Sequence, residues 1–190
     1  MNGLFGGAFD PPHNGHVELL RTAREALGLD RTLVLVAAAP GHKRVETAPA
    51  IRLELTQAAF PGETVRLDEQ PRTIDMLRAH PEREGSVFLL GADEFADLPR
   101  WKEPEELLRR VCLAVATRPG YPRPRLDAVL AELSAPERVS FFDLEPMPIA
   151  SRELRVRLDR GEDVHEFVPA AVWAIIERSG LYGRGYTERG

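Results

Sequence analysis

Residues 3–16 read Gly-Leu-Phe-Gly-Gly-Ala-Phe-Asp-Pro-Pro-His-Asn-Gly-His, a short apolar run followed by adjacent glycines, adjacent prolines and two histidines. The run at residues 3–5 suits a buried strand, and residues 17–27 carry apolar positions at helical spacing closed by Gly28. The segment therefore predicts a strand, a tight polar loop and a helix, in that order. The same alternation recurs outward along the chain. Strand-like runs fall at residues 32–38, 64–67, 86–90, 111–116 and 139–142; helical patterns fall at residues 48–60 with Thr47 as candidate N-cap, 73–80 stopped by Pro81, and 104–110. Repetition of strand, helix, strand implies right-handed crossovers and parallel pairing. The expected fold is α/β, a single doubly wound, Rossmann-like parallel sheet with ligands at the carboxyl ends of its strands. Two further helices, at residues 151–160 before Gly161 and 169–179 before Gly180, close the chain. The proline-rich residues 118–124 read as a loop and residues 182–190 as a frayed tail. The expected domain covers residues 1–183, with 184–190 a flexible extension.

Composition narrows the function. The chain has 190 residues, 43% hydrophobic and 29% charged, which suits one globular domain and excludes collagen, coiled coil and disorder. Its longest apolar run, residues 33–40, is far short of the roughly 20 residues that span a bilayer, and residues 1–10 lack the basic start and apolar stretch of a secretion signal. The one cysteine, Cys112, makes neither an internal disulfide nor a cysteine-based zinc site, so a reducing compartment, the cytoplasm, is expected. With 25 Lys and Arg against 30 Asp and Glu the net charge is -5, and a general nucleic-acid surface is not expected. An anionic substrate would be held by local clusters, at His42-Lys43-Arg44 and at Arg152, Arg155 and Arg157.

The loop between the first strand and the first helix occupies the phosphate crevice of such a fold. Gly6 and Gly7 lack a Cβ, so the backbone there can approach a ligand and present its N–H groups. With a helix starting near Asn14, His16 lies in the first turn, where unpaired N–H groups and the dipole favour an anion. The chain has no Gly-x-Gly-x-x-Gly and no Gly-Lys-Ser/Thr, and His16-Val17-Glu18 lacks the Pro-Cys-x-x-Cys partner that a zinc deaminase needs. His13 and His16 at i, i+3 lack the i, i+4 spacing and nearby carboxylate of the usual helical zinc pair, and plain satisfaction by backbone carbonyls leaves the glycines and the crevice position unexplained.

Residues 6–16 resemble the Gly-Gly-x-Phe-Asp-Pro-x-His-x-Gly-His motif of the nucleotidyltransferase superfamily, matching at Gly6, Gly7, Phe9, Asp10, Pro11, His13, Gly15 and His16. Within it, residues 1 to about 183 are similar to bacterial nicotinate-nucleotide adenylyltransferases, which join nicotinate mononucleotide to the AMP part of ATP and release pyrophosphate. The other segments that carry the likeness are Pro40-Gly41-His42-Lys43, Thr73-Ile74-Asp75, Gly91-Ala92-Asp93, Leu98-Pro99-Arg100-Trp101, Arg118-Pro119-Gly120 and residues 149–155, which resemble the family's triphosphate-binding Ile-Ser-Ser/Ala-Thr-x-Ile/Leu-Arg. The resemblance implies that ATP is bound by Gly6, Gly7, Ala8, Phe9, His13, His16, Gly91, Asp93, Ile149, Ser151 and Arg155. It implies that the mononucleotide is bound by His42, Lys43, Thr73, Asp75, Trp101 and Arg118. Asp93 would accept hydrogen bonds from a ribose, Trp101 would present a flat face to the pyridine ring, and Ser151 would cap its helix while facing phosphate.

The chain departs from the pattern at four places. Pro71-Arg72 replaces Ser-Tyr ahead of Thr73, Lys102 replaces the aromatic residue that often follows the tryptophan, and Ala150 and Arg152 replace a hydroxyl residue and the threonine. The last two remove donors to the β- and γ-phosphates and add a cation.

The phosphate of a mononucleotide is largely ionised near neutral pH, its second pKa being about 6, so adenylyl transfer needs no general base. Catalysis would rest on positioning and electrostatics, with His16 donating to the α-phosphate, His13 to the triphosphate, and Lys43 neutralising the nucleophile. Magnesium would be bound mainly through the ATP phosphates, since the sequence offers no dedicated carboxylate cage. A carboxylate on the pyridine ring calls for donors, for which Thr73 and the backbone N–H groups of Trp101 and Lys102 are candidates. Transfer to nicotinamide mononucleotide or to both mononucleotides, phosphopantetheine or cytidylyl transfer, and a non-catalytic nucleotide-sensing module are the alternatives. A homo-oligomer is compatible with all of them.

Overall fold

Each apolar run becomes a strand because the element after it carries the chain back across a face of the sheet. The computed structural model describes residues 1–41, 45–117, 122–145, 147 and 149–183. The strands are β1 (Asn2–Gly7), β2 (Arg31–Ala37), β3 (Thr64–Asp68), β4 (Val87–Gly91), β5 (Cys112–Thr117) and β6 (Val139–Asp143), and each overlaps an expected run. Their order is β3-β2-β1-β4-β5-β6, with every neighbouring pair parallel. Phe5 at the centre faces Val34 on one side and Leu89 on the other. The chain winds outward from β1 through β2 to β3, then returns to lay β4 beside β1 and winds the other way. The carboxyl ends of β1 and β4 thus flank the point where strand order reverses, the usual place for a ligand.

Strand periodicity sorts the core into two layers. Phe5, Val34, Val36, Leu89, Ala114 and Ala116 face one side, and their neighbours Leu4, Leu35, Phe88, Leu90, Leu113 and Val115 face the other. A sheet buried on both faces requires apolar residues at every position, which is why the strands read as continuous runs. The first layer is closed by α1 (Asn14–Leu27), α2 (Pro49–Ala59), α7 (Ser151–Asp159) and α8 (Ala170–Ser179) through Leu20, Leu55, Leu154 and Ile176. The second is closed by α3 (Thr73–Ala79), α4 (Ala92–Ala96), α5 (Pro104–Arg110) and α6 (Arg123–Glu132) through Leu77, Phe95, Leu107 and Leu126. Among the described residues no helix is long and apolar enough to cross a membrane.

Four expectations are corrected. Thr47 does not cap α2; Ala48 is the N-cap and Pro49 opens the helix, where a missing N–H costs nothing. Residues 123 and 124 are not loop but the first turn of α6, because proline is tolerated there; α6 carries no helical stripe in the sequence, since only Leu126 and Val129 are buried. Five-residue α4 is too short to display a period. Finally, the chain is not frayed at residue 182, since Leu181 and Tyr182 are buried in the first core layer.

Candidate active site

A cleft of about 1510 Å³ opens at the switch point. One wall is the loop from β1 into α1, which has His13 as its N-cap in extended conformation and His16 in the first turn. The His13 backbone N–H donates to His16 Nδ1 at 3.2 Å, so a neutral His16 carries its proton on Nε2. The two rings stack with centroids 3.8 Å apart. Burial pushes the His13 pKa down to about 4, so this ring is neutral at physiological pH and can stack on its neighbour without charge repulsion. Its Nδ1 is buried with no hydrogen-bond partner. The first turn of α1 contains no acidic residue, leaving the positive end of a 14-residue helix open to an anion.

Gly6, Gly7, Ala8 and Phe9 line the cleft beside the histidines. A Cβ at Gly7 would lie 2.8 Å from Phe9 Cζ, so this glycine first makes room for a side chain of its own loop. Phe9 holds a left-handed backbone, φ 49, with its ring buried edge-on to Phe5, Phe60 and His16. The ring is a wedge that sets the His16 imidazole; only the Phe9 backbone is left to meet a nucleotide.

The opposite side of the loop meets α2 and α7. Arg52 is fully buried and donates to four carbonyls: Thr47 at 3.0 Å, Ala8 at 2.7 Å, Ala37 at 2.8 Å and Ala38 at 2.9 Å. Burial lowers its pKa and the nearby Asp10 carboxylate raises it in return. From α7, Ser151 Oγ donates to the Pro11 carbonyl at 2.8 Å and Arg155 Nη1 to the Asp10 carbonyl at 2.6 Å; Arg155 Nε lies 3.2 Å from Glu46 Oε1. Ser151 is not the cap of its helix: Ala150 takes that position, with extended backbone and no side-chain cap. Ser151, Arg155, Ile149 and Arg152 all line the cleft.

Across the cleft stand Gly91, Asp93, Thr73, Trp101 and Lys102. The Trp101 ring packs edge-on to Phe88. Its backbone N–H is donated to the Leu98 carbonyl at 2.9 Å, because residues 98–100 form a 3-10 turn, and this removes it from the expected donors. Thr73 is the first helical residue of α3 after Arg72 as N-cap. Asp75 is turned from the cleft toward Lys102, whose Nζ it accepts at 2.7 Å. His42, Lys43 and Arg118 lie outside the described residues.

A family model described as cytidylyltransferase-like matches residues 4–157. A probable nicotinate-nucleotide adenylyltransferase of Thermus thermophilus is 41% identical over 193 residues, spanning 95% of this chain and 98% of that protein. One from Bordetella avium is 36% identical, over 95% of this chain and 96% of its own length. The chain belongs to the cytidylyltransferase-like family, among its nicotinate-nucleotide adenylyltransferases. A solved Plasmodium falciparum nicotinic acid mononucleotide adenylyltransferase complexed with NaAD superposes with a TM-score of 0.74 at 18% identity, over 95% of this chain and 96% of that one; the two share the fold.

Beyond the expected residues, this adenylyltransferase places Asp68 and Arg72 in the cleft lining and the buried Arg52 behind it. Arg52 shares one helical stripe with Leu55, Thr56 and Ala59, all buried, and a cation on an apolar stripe was the available signal. Asp68 ends β3 with its carboxyl pushed up by burial. Arg72, where the family has a tyrosine, lines the cleft. Its Nη1 lies so close to Gly41 that a Cβ there would stand 2.6 Å away.

Proposed function

We infer that this chain catalyses adenylyl transfer from ATP to nicotinate mononucleotide, giving nicotinate adenine dinucleotide and pyrophosphate in NAD biosynthesis. The observation that carries the site is the stacked pair His13 and His16 at the open N-terminus of α1, at the reversal of strand order. An oxygen of the mononucleotide phosphate attacks the α-phosphorus of ATP, and the bond from that phosphorus to the bridging oxygen breaks as pyrophosphate leaves. His16 donates from Nε2 to the α-phosphate, where charge shifts as the new bond forms. Neutral His13 donates to the departing phosphates beside the helix N-terminus. Gly6, Gly7, Ala8 and the Phe9 backbone cradle the nucleotide, with Gly91, Asp93 and Ile149 around its ribose and base. Ser151 and Arg155 flank the triphosphate. Lys43, with His42, offsets charge on the nucleophile, while Thr73, Trp101 and Arg118 attend the mononucleotide and Asp75, turned from the cleft, holds Lys102 at its rim.

Magnesium would be held mainly by the ATP phosphates rather than by the protein, since no cluster of three or more His, Cys, Asp or Glu among the described residues could hold a metal ion, and it would supply charge neutralisation there. Two anions repel, so the protein's contribution is to hold them in line among fixed donors. The test is pyrophosphate release with ATP and either nicotinate or nicotinamide mononucleotide. Turnover with the acid well above that with the amide is the expected result; equal kcat/KM for the two would replace it with a dual-specificity enzyme, and no turnover with either would remove the assignment.

A further inference from the structure

Asp10 is the most buried polar side chain of the loop that presents the two histidines, 2% exposed, and it reaches the far end of the described chain. Its Oδ1 accepts the Tyr182 hydroxyl at 2.8 Å. Its Oδ2 accepts the Glu46 backbone N–H at 2.7 Å and lies 3.7 Å from Arg155 Nη1. Tyr182 stands two residues past Gly180, which ends α8. It holds a left-handed backbone, φ 65, a conformation that a bulky residue keeps only where its surroundings over-determine it. Burial and the adjoining carboxylate push the phenol's ionisation well above its ordinary range, so Tyr182 is an O–H donor at any physiological pH. A buried carboxylate must have its lone pairs met, and one of those partners comes from a part of the chain 172 residues away.

We propose that Tyr182 is a positioning residue for adenylyl transfer: by donating to Asp10 it fixes the loop from Ala8 to Pro12, and so sets where His13 and His16 stand relative to the nucleotide. This rests on the adenylyltransferase reading above. Without the hydroxyl, Asp10 Oδ1 loses its partner in a dry site and the carboxylate shifts toward another donor, carrying the loop with it. A displacement of about 1 Å in a positioning element can lower a rate on the order of a hundredfold.

The test is steady-state kinetics of Tyr182→Phe, which keeps the ring and deletes one hydroxyl. The expected result is a kcat lower by about tenfold or more, with the KM values for ATP and mononucleotide changed far less. In a His16→Ala background the same substitution should have a clearly smaller further effect, since only His13 is then left to misplace. Leu181→Ala is the control: it truncates a side chain as buried as Tyr182, one residue earlier, and should lower the melting temperature while leaving kcat at 25 °C as it was. An unchanged kcat in Tyr182→Phe, an equal loss in Leu181→Ala, full additivity with His16→Ala, or a Tyr182→Phe chain that does not fold would each overturn the proposal. Wild-type protein that releases no pyrophosphate would instead overturn the functional reading beneath it.

Discussion

On one side of the cleft the loop from Ala8 to Pro12 is gripped by buried Arg52 from α2, half-buried Ser151 and buried Arg155 from α7, and buried Tyr182 beyond α8. On the other side Lys102 at the rim is tied to Asp75, and behind it Arg78 is tied to Glu103, by exposed charges, with 46% of the Lys102 side chain and 41% of the Arg78 side chain in solvent. The two sides face different tasks. Phosphoryl transfer needs donors fixed where charge develops, and buried hydrogen bonds, costly to break, supply that fixity. On the proposed reading the rim would meet the pyridine end of the substrate, where recognition would need the right donors more than a rigid frame. Exposed ion pairs contribute about 0–1 kcal/mol each, so the rim is free to adjust.

The sharpest way to break the contrast is Arg52→Met. Four buried carbonyls lose their donor together, at about 1–3 kcal/mol for each that water does not reach, and the expected loss in urea unfolding is about 3–5 kcal/mol. A loss below about 1 kcal/mol would mean that the arginine does not hold the phosphate side. His16→Ala comes next, and it should act on rate alone. Removing a donor of this kind costs about 2–4 kcal/mol of transition-state stabilisation, read as kcat/KM, with an unfolding midpoint close to the parent's. Equal kcat/KM in the two proteins would remove His16 from the chemistry.

His13 couples the buried side to pH. Its pKa falls from 6.5 to about 4 on folding, so between those values the unfolded chain binds the proton more readily. Stability is complete above pH 6.5 and is lost as pH falls toward 4, by about 3 kcal/mol from this residue. Urea titrations of the parent and His13→Leu across that range should differ in slope by this amount, the parent falling more steeply. Parallel curves would show that His13 takes its proton at the ordinary pH.

The fold was legible because strand runs, helical stripes and the glycines after α1 and α8 all pointed the same way. The core histidine motif was legible because its residues are adjacent in sequence. What escaped was long-range and polar. Arg52 bonds carbonyls up to 44 residues away and Tyr182 meets Asp10 across 172; no local pattern encodes such pairs. The place of Ser151 before an apolar helix predicts a cap, yet Ala150 caps by backbone alone while the hydroxyl serves the loop. The motif points to Phe9 as a ligand residue but not to which part of it, since the space left by Gly7 and the nearby rings bury its side chain and leave only its backbone at the cleft.

The smallest expected effect sharpens the comparison from the exposed side. Lys102 stands where relatives often carry an aromatic residue, and alone it would attract a substrate carboxylate. Here its ammonium is 2.7 Å from Asp75 Oδ1, so the pair presents little net charge to the cleft. Solvent and salt screen what remains, over a Debye length of about 8 Å at physiological ionic strength. Lys102→Ala should therefore change unfolding free energy by less than about 1 kcal/mol and leave the ratio of kcat/KM for nicotinate over nicotinamide mononucleotide within about threefold. Raising salt should leave the parent's ratio equally unmoved. Should that ratio collapse by tenfold in the variant, Lys102 leaves Asp75 when substrate binds and reads the carboxylate directly, and the rim would then discriminate by charge.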